Sequence, residues 1–266
     1  MISFGYMKYE KSYVITIQFL GFRFHGWQKQ KNEKTIHQMV DKTLTFVFGH
    51  SNFKTVGAGR TDSKVSANTY MLQLFIDESI EKNPFLETFN SNLPNDIKGL
   101  SIKEVAVTFN IIQAKKEKEY VYFFSFGEKN HPFAAPLIMG LEEDLNIELM
   151  KMGAQLFEGE HYFHKYCTQP SEHTIFYRRI SSCVVEENTL YTASFFPKQS
   201  YVLRVKGEGF LRYQIRLMMG VLLELGKGKA DLNYIRTSLK KHNDREPLRT
   251  IAPSSGLQLY SIDFIA

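Results

Sequence analysis

At 266 residues and 43% hydrophobic, the chain can bury a sizeable core and suits one large or two small folded domains. Its two cysteines, Cys167 and Cys183, exclude a disulfide framework and fit a reducing compartment; no stretch of about 18 apolar residues runs without a charge, which argues against a membrane-spanning helix. Lys and Arg outnumber Asp and Glu by 33 to 28, a formal charge of +5, and eleven basic residues against five acidic ones fall between Tyr201 and Thr250. The basic character is therefore regional, the footprint of a nucleic-acid partner, with a solvated helix face as the plainer alternative. The opening MISFGYMKYEKSY lacks the basic-then-apolar layout of a leader, so the cytoplasm is the expected compartment.

In chain order, Tyr13 to Leu20 is rich in β-branched and aromatic residues and predicts a strand. Gly21 to Lys34 follows as a loop in which aromatic and basic side chains interleave, a pattern suited to stacking on bases and pairing with phosphates. Trp27 in this loop fits equally as a plug over the core. Thr35 opens a helix with Ile36, Met39, Val40, Leu44, Val47 and Phe48 at helical spacing, and Thr35 with Gln38 can form a capping box. Val56 to Asp77 then holds a corner, Gly57-Ala58-Gly59 followed by Arg60, Thr61 and Asp62, from which a period-two run leaves as a strand. Alone, the corner reads as a solvated turn with a surface ion pair.

A helix near Phe85 to Asn90 and strands near Leu100 to Val107 and Tyr120 to Phe126 complete a first half, residues 1–126. The segment 127–145, with Pro, Gly and acidic residues but no periodicity, predicts a linker. The second half, 146–266, predicts a helix near Asn146 to Phe157 and strands near Phe176 to Glu186, Thr189 to Phe196 and Tyr201 to Lys206. A long helix over Phe210 to Leu225, a helix near Leu232 to Lys241 and a strand over Leu257 to Ile262 follow. The expected fold is α+β, two split βαβ (ferredoxin-like) halves whose sheets join across a central cleft. On the long helix Leu211, Ile215, Met218 and Leu222 share a core-facing stripe, Arg212 and Arg216 lie one turn apart beside it, and Gly220 leaves room for a backbone or ligand. A half-buried Arg216 calls for a carboxylate or phosphate, and Asp62 is a candidate.

Together these residues resemble the TruA family of tRNA pseudouridine synthases over nearly the whole chain. Phe24 to Gln30 is similar to the family's Y-x-G-W-Q-x-Q loop, Gly59-Arg60-Thr61-Asp62 to its G-R-T-D signature, and Asn90 to Ile97 to its N-x-x-L-P-x-D-I turn. Lys118 to Tyr122 resembles K/R-x-Y-x-Y, Phe210-Leu211 with Arg216 and Gly220 resembles F-L-x-x-x-x-R-x-x-x-G, and Ala252-Pro253 with Gly256 to Leu259 resembles A-P-x-x-G-L-x-L. Six motifs in order carry weight that none has alone.

The resemblance implies conversion of a uridine in RNA, foremost in the tRNA anticodon stem-loop, to pseudouridine. It implies a homodimer; no membrane partner and no metal are expected from the sequence, and because the reaction involves no redox change no cofactor is needed. By position Asp62 is the nucleophile, Tyr120 stacks on the target base and can take its C5 proton, and Arg216 pairs with Asp62. Arg60, Lys64, Trp27, Gln28, Lys29 and Arg212 are the expected RNA contacts. The chemistry agrees with the residue types, since breaking a glycosidic bond benefits from a carboxylate that forms an adduct or faces an oxocarbenium-like centre, and a nearby arginine keeps that carboxylate ionised.

Two positions depart from the pattern. Lys64 stands where the family has glycine, in Ser63-Lys64-Val65-Ser66-Ala67, and Tyr162 stands where it has an acidic residue. His161, His164 and Cys167, with His173 nearby, could be read as a zinc site, although no paired motif of standard zinc spacing completes them. A non-catalytic RNA-binding protein of the same fold, a synthase for another RNA and a metal-dependent nuclease or phosphatase are the rival readings.

Overall fold

The computed structural model describes residues 9–241 and 246–265; Asp244 and Arg245 of the basic stretch and the first eight residues lie outside them. The chain separates into two units, Met1–Lys115 with Phe264–Ala266, and Lys116–Asp263.

In the first unit β1 (Lys11–Phe19) leads to α1 (Ile36–Phe48), β2 (Lys54–Gly57), β3 (Ser66–Ile76), α2 (Lys82–Asn92) and β4 (Ile97–Val105). β1 is central, antiparallel to β3 and to β4, with Tyr13 opposite Leu74 and Ile15 opposite Ile102 and Leu72; β2 pairs antiparallel with the other edge of β3. The strand order 4-1-3-2 with two helices is the split βαβ arrangement. Ile15, Ile17, Leu72 and Leu74 are fully buried, and α1 adds Ile36, Val40 and Leu44 while α2 adds Phe85 and Phe89. Thr35 caps α1, its hydroxyl accepting the Gln38 N–H at 3.4 Å. The Asn90-to-Ile97 motif has a structural job: the Asn90 amide accepts from Gly99 N–H and donates to Gly99 O, and Asp96 pairs with Arg23.

The second unit runs β5 (Lys116–Ser125), β6 (Met139–Gly140), α3 (Ile147–Gln155), β7 (Gly159–Tyr162), β8 (Tyr177–Glu187), β9 (Tyr201–Gly207), α4 (Gln214–Gly226), α5 (Leu232–Ser238) and β10 (Leu257–Phe264). Its sheet order is β10-β5-β9-β8-β7, so β5, β8, β9 and β10 repeat the 4-1-3-2 order with α3 and α4 as the crossover helices. β5, assigned from the sequence to residues 1–126, is thus the first strand of the second repeat, paired along its length with β9 from Lys118 opposite Gly207 to Phe124 opposite Tyr201. Within 127–145 a 3₁₀ turn at Pro132–Ala134 leads to β6, which runs parallel to the end of β5.

Two local expectations fail for identifiable reasons. Residues 189–196 form no strand because Asn188 ties the chain into a turn: its side-chain oxygen accepts from Leu190 and Tyr191 N–H, and its amide donates to Tyr191 O and Ser200 Oγ. Leu190, Tyr191 and Phe196 pack instead against Val121, Phe123, Ile138 and Val202. The long helix begins at Gln214, not Phe210, because Tyr213 takes a left-handed φ of 64° and Gln214 Oε1 accepts the Leu211 N–H at 2.8 Å. Arg212 therefore sits on an exposed turn, outside the helix that carries Arg216. α4 is buried nearly all round; Arg216 and Glu224 are its partly exposed positions.

The last segment before β10 lies tightly on α4. Ala252 N–H donates to Arg216 O at 3.1 Å, Arg216 Nε donates to Ala252 O at 2.7 Å, and Tyr122 OH donates to Pro253 O at 2.6 Å. A Cβ on Gly220 would stand 2.0 Å from Thr250 O, so the backbone, and not a ligand, fills the room this glycine leaves. Gly220→Ala should thus destabilise the protein by about 2–3 kcal/mol, although alanine is the better helix former by about 1 kcal/mol. A thermal melt with an unchanged or higher midpoint would contradict the close approach.

Candidate active site

The corner between β2 and β3 is held by a second loop, the one that follows β1. Trp27 N–H donates to Thr61 O at 3.2 Å, Lys64 N–H donates to Phe24 O at 3.0 Å, and Ser63 Oγ donates to the same carbonyl at 3.4 Å. Ala58 N–H donates to Met71 O at 2.9 Å, Tyr70 OH donates to Gly59 O at 2.5 Å, and Val65 N–H closes a turn onto Asp62 O at 3.2 Å. The Asp62 carboxyl group is thus carried on backbone fixed from both sides. Gly26 makes the close approach possible, with φ at +80° and an added Cβ 2.4 Å from Thr61 O.

Asp62 is partly exposed and Arg60 is exposed. Lys64 occupies the left-handed region at φ 66°, so the position where the family pattern has glycine keeps a glycine-like conformation while bearing a long cationic side chain. Gln28 and Lys29 are exposed, and Lys29 is ion-paired with Asp41. Trp27 is only 4% exposed, its ring stacked on His37 at 4.7 Å and tilted on Tyr70 at 4.2 Å, which makes it the plug beneath the loop. Thr55 donates its hydroxyl hydrogen to Asp41 at 2.5 Å, so His37 Nε2, 2.7 Å from Thr55 Oγ1, must be the donor in that contact. Burial pulls the His37 pKa below its ordinary value, with Asp41 opposing and Lys29 reinforcing that shift.

In the second unit Tyr120 is buried on β5, edge-on to Phe210 with ring centroids 5.3 Å apart. The Arg216 guanidinium lies 4.6 Å from the centre of the Tyr213 ring, and that of Arg212 lies 5.5 Å from it. Tyr122, beneath Arg216, has its phenol pKa raised by burial, and Arg216 only partly offsets the rise, so it serves as a neutral donor to Pro253.

Lys118, the first residue of the Lys118-to-Tyr122 motif, is a further group to which the sequence gives no role. Strand alternation puts Lys116, Lys118, Tyr120 and Tyr122 on one face of β5, and burial, aided by Lys116, pushes the Lys118 pKa down to about 8. The period-two pattern counted back from Tyr120 is the signal that could have found it. Three of the eleven basic residues in the Tyr201-to-Thr250 stretch are spent on internal pairs: Arg204 pairs with Glu119 and Glu186, Lys206 with Glu119, and Lys227 with Glu143.

His161 Nε2 contacts Glu158 O at 2.8 Å, and burial raises the Cys167 thiol pKa. Among the described residues no three His, Cys, Asp or Glu side chains form a group able to hold a metal, and no helix is long and apolar enough to cross a membrane. Both cysteines are free and buried.

The family model for tRNA pseudouridine synthase matches residues 154–264. The chain is 30% identical to tRNA pseudouridine synthase A of Bacillus sp. (strain KSM-64), over 95% of this chain and 99% of the relative. It is 29% identical to tRNA pseudouridine synthase A 2 of Bacillus cereus over the same shares. The Exiguobacterium sibiricum enzyme tRNA pseudouridine synthase A is 30% identical over 93% and 94%. The chain belongs to the tRNA pseudouridine synthase A family.

Gly26→Ala should cost about 2–3 kcal/mol, through a disfavoured φ and a backbone clash, read as a lowered thermal or urea midpoint. His37 gives a pH signature. Its folded pKa lies below 6.5, so the unfolded chain binds the proton more readily; the stability from neutral His37 is complete above pH 6.5 and is lost as the pH falls through the folded value. His37→Gln should flatten the acid side of the midpoint-against-pH curve, and a slope identical to wild type would show that this histidine is not the titrating group.

Proposed function

We propose that this protein isomerises uridine to pseudouridine in tRNA, in the anticodon stem-loop, with Asp62 as the nucleophile. The observation that carries the reading is the Gly59-to-Asp62 corner, intact in a family member and anchored by backbone hydrogen bonds to the Phe24-to-Trp27 loop. In this reading the N1–C1′ bond breaks, uracil turns and C5 bonds to C1′. The C5 proton leaves and N1 gains one, so the product has the atoms of the substrate. Asp62 forms the transient adduct, either at C1′ of the ribose or at C6 of the base.

A target base must leave its stack, at a cost of a few kcal/mol that an aromatic partner partly offsets; Tyr120 is assigned that role and acceptance of the C5 proton. Arg216 pairs with Asp62 and keeps it ionised, and Arg60 holds the flipped nucleotide or a neighbouring phosphate. Gln28, Lys29 and Arg212 are the outer RNA contacts, and Trp27 acts through the loop it supports. The protein works as a cytoplasmic homodimer, and the isomerisation consumes no co-reactant.

Asp62→Ala should lower pseudouridine formation by roughly 10³-fold or more while leaving RNA affinity within about threefold. The check is a map of pseudouridines across total RNA from cells lacking the gene, complemented with wild type or the variant. Sites that return only with wild type fix both reaction and target. An alanine variant that restores every site would remove Asp62 as nucleophile, and a map that never changes would leave the non-catalytic RNA-binding reading in its place.

A further inference from the structure

Beside the Asp62 corner an exposed aromatic ring and a lysine come together from different loops. Phe22, just after β1, is 39% exposed, a large apolar face that the core does not claim. The Lys64 ammonium stands 5.6 Å from the centre of its ring, within the range of a cation–π contact. Both are carried on the backbone that the Lys64 N–H to Phe24 O bond ties together, so the two side chains leave from neighbouring points of one scaffold.

Two cations of the neighbouring loop have different engagements. Arg23 is paired with Asp96 and lies 4.8 Å from the centre of the Phe24 ring, and the Lys34 ammonium stands 5.8 Å from the centre of the same ring. Among the described residues the Lys64 ammonium faces Phe22 without an acidic partner. Its backbone moreover sits in a conformation that a glycine adopts freely and a lysine only at a cost, and residues held in such conformations cluster where a site needs them.

We propose that Phe22 and Lys64 form a nucleotide contact on the rim of the Asp62 corner. Lys64 takes a phosphate and Phe22 offers a stacking face to a nucleotide flanking the target uridine. This rests on the RNA-modifying reading and adds to it a recognition element that the family motifs do not contain. An ammonium next to an aromatic face suits a polyanion with flat bases, since the charge reads the backbone without regard to sequence and the ring accepts any base. The effect is on which strand geometry is held near Asp62, not on the bond-making itself.

The test uses the full-length protein and an unmodified tRNA transcript, with binding measured over a salt series and initial rates of pseudouridine formation in parallel. Lys64→Gly, which relaxes the backbone, should weaken binding about three- to tenfold and reduce the slope of log Kd against log salt by about 0.7–0.9, one phosphate contact; Lys64→Arg should keep the wild-type slope. Phe22→Leu should weaken binding about fivefold with the slope unchanged. In each case the loss should fall on KM, with kcat within about twofold of wild type.

Wild-type affinity and slope in Lys64→Gly, with only the melting midpoint altered, would overturn the proposal and leave the pair as surface packing, the catalytic reading intact. If wild type binds the transcript with a slope that depends on Lys64 yet forms no pseudouridine, the contact stands and the catalytic reading falls. Failure of wild type to bind RNA at all overturns both.

Discussion

Backbone hydrogen bonds between the loop after β1 and the corner after β2 are the constraint on which the rest of the candidate site depends. Side-chain contacts at a surface loop exchange with water and give little net rigidity, whereas amide-to-carbonyl bonds buried under a packed ring are costly to open. Trp27 and Tyr70 supply that cover, and Tyr70 adds its own hydroxyl to the Gly59 carbonyl. A carboxylate meant to meet one atom of a nucleotide gains from such fixing, because misplacement by an ångström is enough to lose most of the benefit of orientation. The loop richest in aromatic and basic residues is therefore in part a foundation: Phe24 and Trp27 turn inward, while Phe22, Arg23 and the stretch from Gln28 to Asn32 face outward.

What was legible in the sequence was what local patterning controls. β1 and β3 announced themselves by β-branched and alternating residues, α1 by its spacing and Thr35 cap, and the need for backbone freedom after Asp62 by a glycine position that here holds a left-handed lysine. What was not legible depended on partners distant in the chain. Nothing around Tyr120 tells that its strand pairs with β9 more than seventy residues on, so the strand was counted with the half it follows. Asn188 kept the strand-prone stretch that follows it out of the sheet because its amide could satisfy several groups at once, and Tyr213 delays the start of a helix whose apolar period begins earlier. Charge was the least legible quantity: eleven basic residues in one stretch suggest a surface field, yet Arg204, Lys206 and Lys227 are spent on Glu119, Glu186 and Glu143.

Arg216 shows how one side chain serves two ends. Its Nε holds the Ala252 carbonyl, and the guanidinium lies over Tyr213. A planar, permanently charged fork can be anchored by one edge and still present charge in a fixed direction from the other, a geometry that a rotatable ammonium does not hold. The helix carrying it is buried nearly all round, so the position of the charge is set by the core.

The two repeats differ in where their fourth strand lies along the chain. The first has all four strands in place by Val105, while the second opens with β5 at Lys116 and waits for β10, which starts at Leu257, to take its place beside it. On the ribosome, where chains emerge from the N-terminus at about 5–20 residues per second, the half bearing Asp62 can close its sheet during synthesis. The half bearing Arg216 leaves one edge of β5 without its intrachain strand until near the end. Exposed sheet edges are templates for aberrant pairing, so the interval in which this protein is most vulnerable to misassembly belongs to its second half and is set by the order of its strands.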